Sequence, residues 1–264
     1  MGDSFFTTDD GELFRPTQHT RGPWDPNACH AGPPTGLIAR AAERAVPDKR
    51  LARLNVDLLR PIPFAGFRVV LKVTRSGRAV ASTSATLADE TGRACATAIS
   101  LHVATPGGGG EFPDGFEPPV LADAKPGAFP ITRLLHGLPG FSGDGVAVRY
   151  PRGEHPEPGP TMLWMSTVPL LPDEEPSPFQ RICPLADCGN AISRWVDPSE
   201  MGFVNADLTI MLHRNPRGEW LGSRATSSWH DDGTALADAL LFDEHGSVGR
   251  ALQTVLLTPP PTPR

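Results

Sequence analysis

The sequence predicts an α+β chain that builds the same unit twice, a long helix followed by a run of antiparallel strands. Three observations predict it. Shifting the chain by 154 residues lays Leu87-Ala88-Asp89-Glu90-Thr91-Gly92 on Leu241-Phe242-Asp243-Glu244-His245-Gly246. From 81 to 92, six of twelve positions are identical, where chance pairing gives about one. Each copy opens on an apolar helix-forming stretch and continues as β-prone runs parted by turn residues. Between the copies lies a segment too rich in Pro and Gly for a helix or a central strand.

In the first copy, Thr35 to Val46 is rich in Ala, Leu and Ile. Pro33-Pro34 starts it and Pro47 stops it, as suits a helix. Strands are expected over Leu51–Leu59, Phe67–Arg75, Val80–Ala88 and Arg93–Ala104, with turns at Pro61-Ile62-Pro63, Ser76-Gly77 and Asp89 to Gly92. In the second copy one helix is expected over Phe179–Trp195. Strands follow over Phe203–Arg214, Glu219–His230, Thr234–Phe242 and Val248–Thr258. The same offset lays Ile38 on Ile192, Arg40 on Arg194 and Arg60 on Arg214. The expected organisation is a unit over 1–105, a Pro/Gly-rich linker over 106–142, a second unit over 143–258 and a disordered tail over 259–264. Two such units predict two sheets joined edge to edge, with both helices on the concave side.

Composition narrows the function. The 264 residues are 39% hydrophobic, and no run approaches the roughly 18 apolar residues of a membrane-spanning helix. Met1-Gly2-Asp3-Ser4 has neither the basic nor the apolar region of a secretory leader. The expectation is a cytoplasmic chain with no membrane partner. Lys plus Arg number 24 against 30 Asp plus Glu, a net charge of −6, which argues against a nucleic-acid partner. The cysteines, Cys29, Cys95, Cys183 and Cys188, form no C-x-x-C pair and read as free thiols of a reducing compartment. Cys183 and Cys188 lack the further ligands a zinc site needs, so no metal is expected.

The wording of the strands points further. Leu54-Asn55-Val56-Asp57-Leu58-Leu59-Arg60-Pro61-Ile62-Pro63, Thr74-Arg75-Ser76-Gly77-Arg78 and the Asp-Leu-x-x-x-x-His-Arg…Glu-Trp-Leu stretch from Asp207 to Leu221 resemble the type II, TesB-like acyl-CoA thioesterases. The resemblance covers roughly residues 5–104 and 143–258 and implies the double hotdog fold. It implies hydrolysis of an acyl-CoA or a carrier-bound acyl thioester, with no cofactor beyond the CoA of the substrate. Assembly as a homodimer or larger homo-oligomer is expected by the same analogy.

The family works with an Asp, a Thr or Ser, and a Gln. The resemblance carries these onto Asp207 as the base that activates water, and onto Ser228 and Gln253 as the groups that place it. Strand alternation puts Asp207 on the face of Thr209 and His213, opposite Leu208 and Ile210, and puts Gln253 with Ala251 and Val255. At the repeat offset the counterparts of Asp207, Ser228 and Gln253 are Arg53, Thr74 and Ile99, so one site per chain is expected. Hotdog thioesterases aim helix N-terminal N–H groups at the thioester carbonyl, which makes Gly32 an oxyanion candidate beside the N–H-less Pro33 and Pro34. Asp187-Cys188-Gly189-Asn190 reads as a second polar cluster. Cys29-His30 reads as structural, because adjacent residues seldom face one another. The five tryptophans are expected in the core, at the rim or along an acyl tunnel. The other readings of this fold are a non-catalytic acyl-thioester binder and a hydratase or dehydratase of enoyl thioesters, although the hydratase G-D-x-N-P-x-H signature is absent.

Overall fold

The computed structural model describes residues 4–110, 115–131 and 137–259. In chain order the strands are β1 (Phe6–Thr7), β2 (Leu13–Pro16), β3 (Arg50–Leu58), β4 (Phe67–Ser76), β5 (Val80–Asp89), β6 (Ala94–Val103) and β7 (Lys125–Gly127). They continue as β8 (Val146–Tyr150), β9 (Thr161–Thr167), β10 (Gly202–Asn205), β11 (Asp207–Leu212), β12 (Leu221–Trp229), β13 (Thr234–Asp243) and β14 (Gly246–Thr258). The α-helices are α1 (Gly32–Ala45), α2 (Pro178–Ala186) and α3 (Gly189–Ile192). All strands join one antiparallel sheet in the order β1-β2-β4-β5-β6-β3-β11-β14-β13-β12-β9-β8-β7, with β10 also on β14.

The two copies meet where β3 pairs β11. Thr209 pairs Asn55, its own repeat counterpart, and Asn55 Nδ2 donates to Thr209 Oγ1 at 2.7 Å. A pseudo-twofold axis therefore passes between these two residues. The edge-to-edge junction read from the duplication is this seam. In the last strand the repeat slips by one. Thr83 pairs Ser100 in the first copy and Ala237 pairs Gln253 in the second. The inward counterpart of Gln253 is therefore Ser100, not Ile99, which is exposed on the other face.

Helix α1 starts on Pro33-Pro34, whose missing N–H groups cost nothing in a first turn. Thr35 Oγ1 donates to the Ala31 carbonyl at 2.9 Å. The helix is buried on almost every side because strands wrap it and α2 crosses it; Leu37 and Ile38 alone contribute about 1.5–3 kcal/mol each by burial. The helices touch closely at Gly32, where a β-carbon would stand 2.8 Å from Pro184 Cα and 3.2 Å from Asp187 Cβ.

The second helix departs from expectation. The continuous helix read over Phe179–Trp195 is broken at Asp187-Cys188 into α2 and the single turn α3. Pro184 withholds an N–H inside α2, and the chain turns before Gly189. The strand read over Phe203–Arg214 is likewise two pieces, parted at Ala206, whose N–H crosses to Thr254 O. Within the segment read as a linker, β7 pairs β8, and Phe129, Ile131 and Phe141 are buried in the main core. Residues 260–264 of the expected tail lie outside the described residues.

Candidate active site

The break in the second helix places a carboxylate in the interior. Asp187 closes α2, and its side chain is 3% exposed. Asn205, ending β10, donates Nδ2 to Asp187 Oδ1 at 2.9 Å. Gln253, inward on β14, donates Nε2 to the same oxygen at 3.3 Å and to the Asp187 carbonyl at 3.0 Å. From the other side the N-terminal end of α1 meets it, with the Ala31 and Gly32 N–H groups directed at the carboxylate and lowering its pKa against the effect of burial. His30 Nδ1 lies 3.1 Å from Asp187 Oδ2.

Burial outweighs these donors and pushes the Asp187 carboxyl up to about 7. The same dryness holds the His30 imidazole down at about 3, so it is neutral near pH 7. Burial pushes the Cys29 thiol up to about 12 and those of Cys183 and Cys188 well above the usual range, which leaves them protonated.

Asp187, His30, Asn190 and Asn205 form the polar end of a cavity of about 340 Å³. Much of the rest of its lining is apolar, including Trp24, Ile62, Phe129, Phe141 and Phe203. Trp24 meets Phe203 edge-on at 5.2 Å, and Phe129 meets Phe141 edge-on at 6.0 Å. Arg21 and the exposed Arg60 add positive charge to the lining.

The structure does not bring Asp207, Ser228 and Gln253 together. Asp207 stands on the outer face of β11 directly opposite Asp57, and its Oδ1 accepts the Thr254 N–H at 2.6 Å. Ser228 is exposed on the outer face of β12. Its neighbour Ser227 points inward and shares a hydrogen bond of 2.5 Å with Ser193 Oγ. Gln253 alone faces the interior, where its partner is Asp187. The correction is one of sheet face: side chains alternate along a strand, so Asp207 and Ser228 cannot share a pocket with Gln253. Gly32 is at the site, but its N–H is turned to Asp187 and to His30 Nδ1, 3.2 Å away. His30, read as structural, belongs to the polar end of the cavity.

Two helix-backed halves of one sheet enclosing a buried carboxylate at the end of an apolar cavity make a double hotdog of the thioester-hydrolase class. Family comparison is specific. Residues 20–103 match the acyl-CoA thioesterase N-terminal domain and residues 113–257 the acyl-CoA thioesterase C-terminal domain, so the chain belongs to the acyl-CoA thioesterase family. No curated protein matches in sequence. Among solved structures, the acyl-CoA thioesterase II TesB2 of Mycobacterium marinum is 18% identical with a TM-score of 0.64, covering 97% of this chain and 96% of that one. The tesB protein of Mycobacterium avium subs paratuberculosis is 14% identical with a TM-score of 0.62, covering 96% of each chain. A hot dog fold protein of unknown function from Alicyclobacillus acidocaldarius is 16% identical with a TM-score of 0.72, again over 96% of each chain. At these identities the structural likeness is one of fold.

Proposed function

We propose that the chain hydrolyses acyl-CoA with Asp187, rather than Asp207, as the base. The observation that carries this reading is a buried carboxyl, pushed up to about 7, at the polar end of a largely apolar cavity. An acyl group fills the apolar part, and its thioester carbonyl lies near Asp187. A water held by the carboxylate and the Asn205 amide loses a proton to Asp187 and attacks the carbonyl carbon. The C–S bond breaks, and the CoA thiolate leaves and takes that proton. A base near neutrality suits this work, because it is ionised at working pH and still strong enough to accept. Gln253 is behind Asp187 and fixes its backbone and one oxygen. Asn205 takes the part for which the resemblance implied a hydroxyl on Ser228. The positive end of α1 favours the negative charge that develops nearby, while the Gly32 N–H itself is engaged by His30 Nδ1 and Asp187.

Free-thiol release from short, long, branched and aromatic acyl-CoAs tests this, with Asp187→Asn and Asp207→Asn in parallel. Release that falls at least about 100-fold in Asp187→Asn and stays within about threefold in Asp207→Asn is expected. Equal loss in both variants would sink the assignment. Binding without release would favour the acyl-thioester binder, and a change in enoyl absorbance without thiol would favour the hydratase.

A further inference from the structure

The outer face of the sheet carries two charge arrangements that a single chain leaves uncompensated. At the seam, Asp57 on β3 and Asp207 on β11 stand directly opposite one another. Opposed side chains of an antiparallel pair lie about 5 Å apart, where like charges repel. Among the described residues neither carboxylate has a basic partner. Asp57 accepts the Thr97 hydroxyl at 3.5 Å, and Asp207 the Thr254 N–H at 2.6 Å. Four residues back along β3, about 13 Å away, Arg53 stands on the same face. It has no carboxylate partner among the described residues either, and its Nε is buried without a hydrogen bond. Arg53 lines a cavity of about 750 Å³ with Met211, Arg224 and Arg250, of which Arg250 is held by Asp238. One end of the face is therefore basic and the other acidic. Between them, register sets the uncharged Ile99, Asn55, Thr209 and Leu252 side by side across four strands. Ile99 is 57% and Met211 50% exposed, with Leu101, Leu240 and Leu252 half-buried around them.

We propose that this face is the interface of a homodimer, in which a second copy packs sheet to sheet about a two-fold axis lying along that uncharged row. Such an axis brings each strand over its own copy, reversed. Arg53 then faces the partner's Asp57, beside the partner's Asp207, and the reciprocal pair forms across the row. Sheets stack about 10 Å apart, a gap that an arginine and an aspartate span together. Ile99 and Leu252 meet their own copies on the axis, and Met211 is covered. The two-fold parallel to the strands at the seam would instead set Asp57 against the partner's Asp207, so charge selects the first arrangement. The interface lies on the side of the sheet away from Asp187 and stands or falls apart from the hydrolase reading.

Sedimentation velocity of the full chain at low salt tests this with two charge-reversed variants, Arg53→Glu and Asp57→Arg. Wild type should sediment as a dimer at about 10 µM. Either variant alone sets like charges against each other twice per dimer and should raise the Kd about 100-fold or more. Mixed one to one, the two variants should form a heterodimer within about tenfold of the wild-type affinity, because both contacts then join opposite charges. Circular dichroism melts of the separate variants show whether each is folded. Should Arg53→Glu not fold, Arg53→Gln takes its place and should still recruit Asp57→Arg into a heterodimer. A wild-type monomer at that concentration would overturn the proposal and leave the row of arginines to a small anion. A variant that dimerises as wild type does, or a mixture that stays monomeric, would overturn it as well.

Discussion

Gln253 and Asp187 are joined across the gap between two helices. Gln253 Nε2 donates to the Asp187 carbonyl at 3.0 Å while its Oε1 accepts the Asn190 N–H at 2.9 Å. A broken helix leaves carbonyls and N–H groups without partners on either side of the break. Here one amide from the neighbouring strand satisfies one of each. Gly189 makes the approach possible, because a β-carbon there would stand 2.9 Å from Gln253 Oε1.

Replacing Gln253 should therefore be costly to folding as well as to turnover. Gln253→Leu leaves a buried carbonyl and a buried N–H unpaired, each costing about 1–3 kcal/mol. Urea denaturation should show a loss of about 2–4 kcal/mol. A loss below about 1 kcal/mol would mean that water replaces the amide and the splice is dispensable.

The pH dependence of the reaction follows from Asp187. Burial raises its carboxyl to about 7, and only the ionised form accepts a proton from water. On that reading kcat/KM should climb about tenfold per pH unit below pH 7 and level off above it. A profile already flat from pH 5 would show that Asp187 is ionised throughout, contrary to its burial.

Most of the fold was legible in the sequence because duplication and strand alternation are local patterns. The seam at Asn55 and Thr209 follows from the 154-residue offset. The site was legible only in part. Alternation alone already put Asp207 and Gln253 on opposite faces, and the family resemblance overrode it. Asp187 was visible as a polar residue in an apolar helix, but a regular helix would not turn it toward Gln253. The break that does so depends on Pro184, on the turn before Gly189 and on a partner 66 residues away. His30 was discounted on the ground that neighbours in sequence do not face each other. That holds for Cys29, whose thiol lies near the Pro63 carbonyl, and says nothing of a partner on another helix.

The same pair of residues sets opposing pH dependences of stability. Asp187 is raised from 3.8 to about 7, so between those values the folded state binds the extra proton and stability falls as pH rises. His30 is lowered from 6.5 to about 3, so over that window the unfolded state binds the extra proton and stability rises with pH. From pH 4 to 6.5 the two contributions offset in wild type. Asp187→Asn removes one of them. Its stability should fall on acidification relative to wild type, with a limiting slope of about 1.4 kcal/mol per pH unit. Chemical denaturation at pH 4.5, 5.5 and 6.5 measures it. Parallel curves for the two proteins would show that the Asp187 carboxyl is not raised, and a variant curve flat with pH would show that the imidazole is not held neutral.

Asn205 provides the sharpest discrimination among the groups around the base. Its Nδ2 bonds Asp187 Oδ1 at 2.9 Å and the Asp207 carbonyl at 3.1 Å, so one amide ties the carboxylate to the β10–β11 junction. What the proposed reaction needs at this position is a donor to the carboxylate and an acceptor, here Oδ1, for the water beside it. A hydroxyl on a branched side chain meets the first need with a stiffer rotamer and gives up the second N–H. Asn205→Thr should accordingly retain activity within about tenfold, whereas Asn205→Leu, isosteric but without a donor, should lose about 100-fold or more and shift the acid limb upward. Both variants keep the β10 backbone pairing with β14, so thermal midpoints should differ little between them. If Asn205→Leu hydrolyses acyl-CoA as well as Asn205→Thr, the amide is a tether for the strand junction, and the water must be held by Asp187 and the cavity wall alone.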